Sequence, residues 1–141
     1  MTAAEQAQGY FISGYNCAQS VALAFAEKFN VDKEIIAKSA SGLGGGIQMG
    51  EVCGALSGAV LIIGLACGQS EAGDVDAKKA CYANTKAFAE AFQRENGCLT
   101  CRELVERNVS GNSQEESTAN KKAYCRGLVA RAAQLLVKMG Y

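Results

Sequence analysis

The sequence predicts an all-α fold, a single bundle of about six helices with a glycine-rich loop before the central one. Three observations carry this. The chain has no proline and is rich in Ala, Leu, Lys, Gln and Glu, the good helix formers. Apolar residues recur at helical spacing in its long segments. Capping signals stand where those segments begin.

Asn16 opens the first clear helix. Gln19 follows three residues later as in a capping box, and Cys17, Val21, Ala24 and Phe25 keep helical spacing to about Phe29. Asn30-Val31-Asp32 reads as a turn, and Asp32 caps a short helix through about Ser39. Ser41 to Gly50 holds five glycines in ten residues and reads as a loop. The central helix is expected from near Glu51 to about Ala66. Gly54 with Gly58, and Gly64 with Gly68, lie four apart on it and would admit a neighbouring backbone, within one chain or between two.

Ser70 to Asp76 is a polar connection. The longest amphipathic helix is expected from Val75 to about Glu95, with Cys81, Thr85, Phe88 and Phe92 on one stripe, and Asn96-Gly97 ends it. Thr100 and Glu103 form a second capping box, so a short helix starts at Cys101. Asn108 to Thr118 is polar and reads as a mobile loop. The last helix is expected from about Ala119 to Met139, burying Cys125, Leu128, Val129, Ala132, Leu135, Leu136 and Met139. There is no internal repeat and no linker, so residues 1–141 are expected to form one domain.

Composition removes several functions. With no histidine there is no Ser-His-Asp triad, no Cys-His pair and no histidine ligand for zinc or haem. Fourteen Lys+Arg balance fourteen Asp+Glu, which argues against a nucleic-acid or anionic-membrane partner. The apolar run Val52 to Cys67 is shorter than the ~20 residues that span a bilayer, so no membrane span is expected. The first ten residues carry neither a basic stretch nor an apolar one, so no secretory signal is expected and the reading is cytoplasmic. Seven cysteines cannot all pair internally and suit reduced thiols.

Three cysteines fall at expected helix starts: Cys17, Cys53 and Cys101. The unpaired N–H groups and the dipole of a helix start favour thiolate, the form that acts as nucleophile and metal ligand. Cys53 is expected to have a lowered pKa for this reason, with N–H groups of the glycine loop acting on the same sulfur. Cys125 lies inside a helix on the face that meets the core. If the helix starts converge on that face, four sulfurs meet, and these four are the candidate catalytic and metal-binding residues. The competing reading is that they pack as small hydrophobes, as expected for Cys67 and Cys81. Cys98-Leu-Thr-Cys101 is a single local Cys-x-x-Cys. It lacks the βαβ context of a thioredoxin and the second ligand pair of a zinc knuckle.

The glycine loop matches neither a dinucleotide fingerprint nor a P-loop. It is either a tight turn or a nest of N–H groups, with Gly44, Gly45 and Gly46 as candidate cofactor-binding residues. Glu51 and Glu103 are expected as first-turn and capping acids, and Tyr15 and Tyr124 as aromatics at the core edge.

These residues resemble a known family. Gly14-Tyr-Asn-Cys17-Ala-Gln, the loop Gly42 to Gly46, Met49-Gly-Glu-Val-Cys53-Gly-Ala-Leu-Ser-Gly58, Cys101-Arg-Glu-Leu104 and Cys125 are similar to the C_GCAxxG_C_C family of redox-active proteins. The resemblance covers nearly the whole chain. It implies that the family's four characteristic cysteines are Cys17, Cys53, Cys101 and Cys125, and that Cys67, Cys81 and Cys98 are additions of this sequence.

The expected function is therefore that of a small redox protein built on four cysteines, with an unidentified redox partner protein or small molecule. An iron–sulfur cluster held by the four thiolates is the first expectation. Thiol/disulfide cycling without a cofactor is the alternative, and structural zinc on the same residues a further one. A non-redox reading is a helical scaffold or homo-oligomer with Gly54 and Gly58 at an interface.

Overall fold

The computed structural model describes residues 1–141. Seven helices make up the chain: α1 (Ala3–Ser13), α2 (Cys17–Ala26), α3 (Lys33–Ala40), α4 (Gly54–Cys67), α5 (Val75–Asn96), α6 (Cys101–Asn108) and α7 (Gln114–Lys138). The all-α expectation holds, with one helix more than the six read from sequence. The addition is α1, whose Thr2–Glu5 capping box satisfies its first N–H groups. It packs along α7 and α2.

Two boundaries also move. α7 begins at Gln114, where the Ser113 hydroxyl accepts from Glu116 N–H, so the second half of the expected mobile loop is helix. α4 begins at Gly54 rather than near Glu51, because Glu51 to Cys53 is held in extended form.

The core lies between α2, α4, α5 and α7. Val21, Ile62, Ile63, Phe88, Phe92 and Leu136 are fully buried in it. Each large apolar side chain contributes about 1.5–3 kcal/mol when fully buried. α2 and α4 approach very closely: a Cβ on Gly58 would strike the Ala18 carbonyl, and one on Gly54 would strike Cys17 Sγ. Both glycines therefore serve packing inside the chain, one of the two uses expected of them. No helix is long and apolar enough to cross a membrane.

Two irregular segments place the ends of the helices. A short 3₁₀ turn, Ser41–Leu43, leads from α3 into the glycine loop. Four successive residues of that loop are left-handed: Gly45 (φ 66°), Gly46 (φ 65°), Ile47 (φ 59°) and Gln48 (φ 58°). Glycine adopts this backbone freely, but a β-branched isoleucine does so only under strain. The Gln48 side-chain amide donates to Gly44 C=O at 2.7 Å and closes the turn. The second segment is an antiparallel bridge between Val52 and Thr100. Cys53 N–H donates to Leu99 C=O at 2.8 Å, and Cys101 N–H to Glu51 C=O at 2.6 Å.

Candidate functional site: a cavity lined by four cysteines

Each of the four cysteines is positioned by a different element. Cys17 is the first residue of α2. Its neighbour Asn16 accepts from Gln19 N–H at 2.9 Å and donates to Ser41 C=O at 2.9 Å, which ties the start of α2 to the turn below α3. Cys53 is the N-cap of α4 and Cys101 the first residue of α6, where the Thr100 hydroxyl caps the helix. The Val52–Thr100 bridge fixes these two relative to each other. In an antiparallel bridge the residues on either side of the central pair share one face, so Cys53 and Cys101 point the same way as diagonal neighbours. Such neighbours stand about 7–8 Å apart, beyond the ordinary reach of a disulfide. Cys125 sits midway along α7.

All four line one cavity of about 320 Å³, together with Asn16, Gln48 and Lys121. Cys53 is buried, and Cys17, Cys101 and Cys125 are half-buried. The bare backbone of Gly54 leaves room for Cys17 Sγ beside α4. Of the three glycines expected at a cofactor, Gly45 lines the cavity. The other two have packing reasons: a Cβ on Gly44 would strike the Asn16 side chain, and one on Gly46 the Glu51 backbone.

The electrostatics correct one expectation. The Cys53 pKa is not lowered but pushed up to about 12, by burial first and by Cys17 second. The N–H groups of Ala55 and Leu56 do act on the sulfur and lower the value, as a helix start should, but they are outweighed. Burial, then Cys17 and Cys101, push Cys125 up to about 11, against Lys121. Burial and Cys17 raise Cys101 as well, again opposed by Lys121. Cys17 is thus a charge neighbour of the other three. Ionising one thiol makes ionising the next harder, and a cationic centre among them would remove that penalty.

Sequence reasoning missed Lys121, the cation nearest in effect to these sulfurs. Its signal was slight: it lies four residues before Cys125, on the same helical face. The remaining cysteines lie elsewhere. Cys98 is 5% exposed and belongs to the hydrophobic core, so the two members of the local Cys-x-x-Cys face different surroundings. Cys67 and Cys81, expected as buried filler, are only half-buried. Glu51 is exposed and contributes its backbone carbonyl to Cys101 N–H.

All seven cysteines are free thiols. No three Cys, Asp or Glu side chains gather at the spacing that would hold a metal ion. A tetrahedral ion with bonds of ~2.3 Å would require sulfurs about 4 Å apart.

A family model described as "Putative redox-active protein (C_GCAxxG_C_C)" matches residues 15–139. Searches of curated proteins and of solved structures return no match. The match spans the segments that carry all four cavity cysteines, and the chain belongs to the C_GCAxxG_C_C family.

Proposed function

We propose that this chain is an electron-transfer protein whose redox centre is the four-cysteine cavity, with Cys17, Cys53, Cys101 and Cys125 as ligands of an iron–sulfur cluster. The observation that carries the reading is that four thiols from four separate helices or helix starts line one cavity of about 320 Å³. The donor set is all sulfur, which suits iron–sulfur ligation.

The cluster, when bound, would supply one-electron transfer. The chain's own residues set the conditions for it. Cys53 would give a buried ligand, and Cys17, Cys101 and Cys125 half-buried ones within reach of a partner. Lys121 eases the ionisation of Cys101 and Cys125 and so favours the thiolates that ligation requires.

Thiol/disulfide cycling on the same cysteines is less well supported. It needs a thiol that ionises readily, and burial works against this at Cys53, Cys101 and Cys125. Anaerobic reconstitution with ferrous iron and sulfide tests the choice. The cluster reading expects iron and acid-labile sulfide bound together, with visible absorption that bleaches on reduction. Protein that stays iron-free, yet reversibly forms disulfides among these four cysteines in a thiol redox buffer, overturns it.

A further inference from the structure

A second pair of cysteines lies away from the cavity, where α4 ends and α5 passes. Cys67 is the last residue of α4, and Cys81 lies in the second turn of α5. The Asn84 side-chain amide donates to Cys67 Sγ at 3.5 Å. Asn84 follows Cys81 by three residues, and residues so spaced are neighbours on one helix face, with Cβ atoms about 5–6 Å apart. The α5 face that carries Cys81 is therefore the face that meets Cys67.

The C-terminus folds back toward the core nearby. Gly140 turns the chain back with φ 98°, and Tyr141 N–H donates to Leu136 C=O at 2.9 Å. Tyr141 packs against the core, and its phenol is shifted upward by burial, then by Cys67 and Cys81 together. Both cysteines are half-buried, open enough for a small oxidant.

From this juxtaposition we infer that Cys67 and Cys81 are a second thiol site, a dithiol that closes to a disulfide between α4 and α5 by exchange with a low-molecular-weight disulfide. The inference does not rest on the cluster reading. The exchange balances in two steps. One cysteine thiolate attacks the external disulfide, forms a mixed disulfide and releases one small thiol. The other cysteine thiolate then attacks the protein sulfur of that mixed disulfide and releases the second small thiol. Two cysteines are oxidised by two electrons, one disulfide is reduced to two thiols, and the two cysteine protons end on the released thiols. The Asn84 N–H is placed to donate to Cys67 as a thiolate. The site is a redox staple across the polar connection between α4 and α5, distinct from the cavity cysteines.

The test is incubation of the reduced full chain with glutathione disulfide, acid quenching and non-reducing peptide mapping. The expected result is a cross-link between the peptides carrying Cys67 and Cys81. It should be absent from Cys67→Ser and from Cys81→Ser but retained in Cys53→Ser, which separates it from a link made by the other cysteine of the same tryptic peptide. Separate glutathione adducts on Cys67 and Cys81 that never close, or a cross-link from Cys81 to Cys53, would overturn the inference.

Discussion

The two thiol regions of this molecule are built in opposite ways. Cys67 and Cys81 stand on ordinary helix, on two helices, α4 and α5, that pack together. Cys125 also stands on ordinary helix, but Cys17, Cys53 and Cys101 are brought to it by special backbone: an isolated bridge, a left-handed turn and a close helix contact at glycines. The cavity depends on several devices, each of which forbids particular side chains. That difference says where substitution will be felt as lost ligation and where it will be felt as lost stability.

The largest effect is expected at Gly54. In Gly54→Ala the new Cβ collides with Cys17 Sγ, the movable end of a side chain, and crowds the Leu43 carbonyl at 3.1 Å and Gly44 Cα at 3.3 Å, so the sulfur leaves its place. Iron affinity measured after anaerobic reconstitution should fall about 10–100-fold, the usual cost of disturbing a ligand's support. Unchanged affinity would show that Cys17 is not held where the cavity needs it.

Gly58 and Gly64 sharpen the contrast along one helix. A Cβ on Gly58 meets the Ala18 backbone, which cannot swing aside, whereas a Cβ on Gly64 meets nothing. Gly58→Ala should lose about 1–3 kcal/mol in urea unfolding. Gly64→Ala should gain up to about 1 kcal/mol from helix propensity.

Much of this architecture was legible in the sequence. Asn16, Asp32 and Thr100 announce helix starts because capping is local chemistry, and each caps its helix, although the expected box at Thr100 is only half made because the Glu103 carboxylate accepts from Arg107. The start of α7 was missed, although Ser113 and Glu116 stand at capping-box spacing. Its first turns are polar and give no apolar period, so the segment reads as loop. α1 was missed although Thr2 and Glu5 form a capping box. The cluster of glycines foretold an unusual loop, but not that Ile47 and Gln48 would continue its left-handed path, since their own preferences oppose it. The ionisation of Cys53 was misjudged for a related reason. The helix-start donors are visible in sequence, but the burial that outweighs them comes from other elements.

A smaller effect follows at the strained turn. Ile47 is 55% exposed, so little packing is lost in Ile47→Gly, and relief of its left-handed backbone should stabilise the protein by about 1 kcal/mol. Destabilisation of that size would mean the side chain is more useful than its exposure suggests.

A pH dependence is expected of the metal-free, reduced protein. The Cys53 thiol ionises near 9.0 when unperturbed but at about 12 in the folded state. Between those values the unfolded chain binds fewer protons than the folded one, so stability falls as pH rises. The stabilisation is fully present below the unfolded value and is lost through the folded one. Thermal unfolding followed across this window should show a falling Tm, and Cys53→Ala should flatten the slope.

The central claim, that four of the seven cysteines form the redox centre, is tested most directly by iron and labile sulfide content in the seven single Cys→Ser variants, each reconstituted without oxygen. The account predicts heavy loss for Cys17, Cys53, Cys101 and Cys125, and near wild-type content for Cys67, Cys81 and Cys98. A loss at Cys98 equal to that at Cys101, or retention of cluster by two or more of the cavity variants, would contradict it.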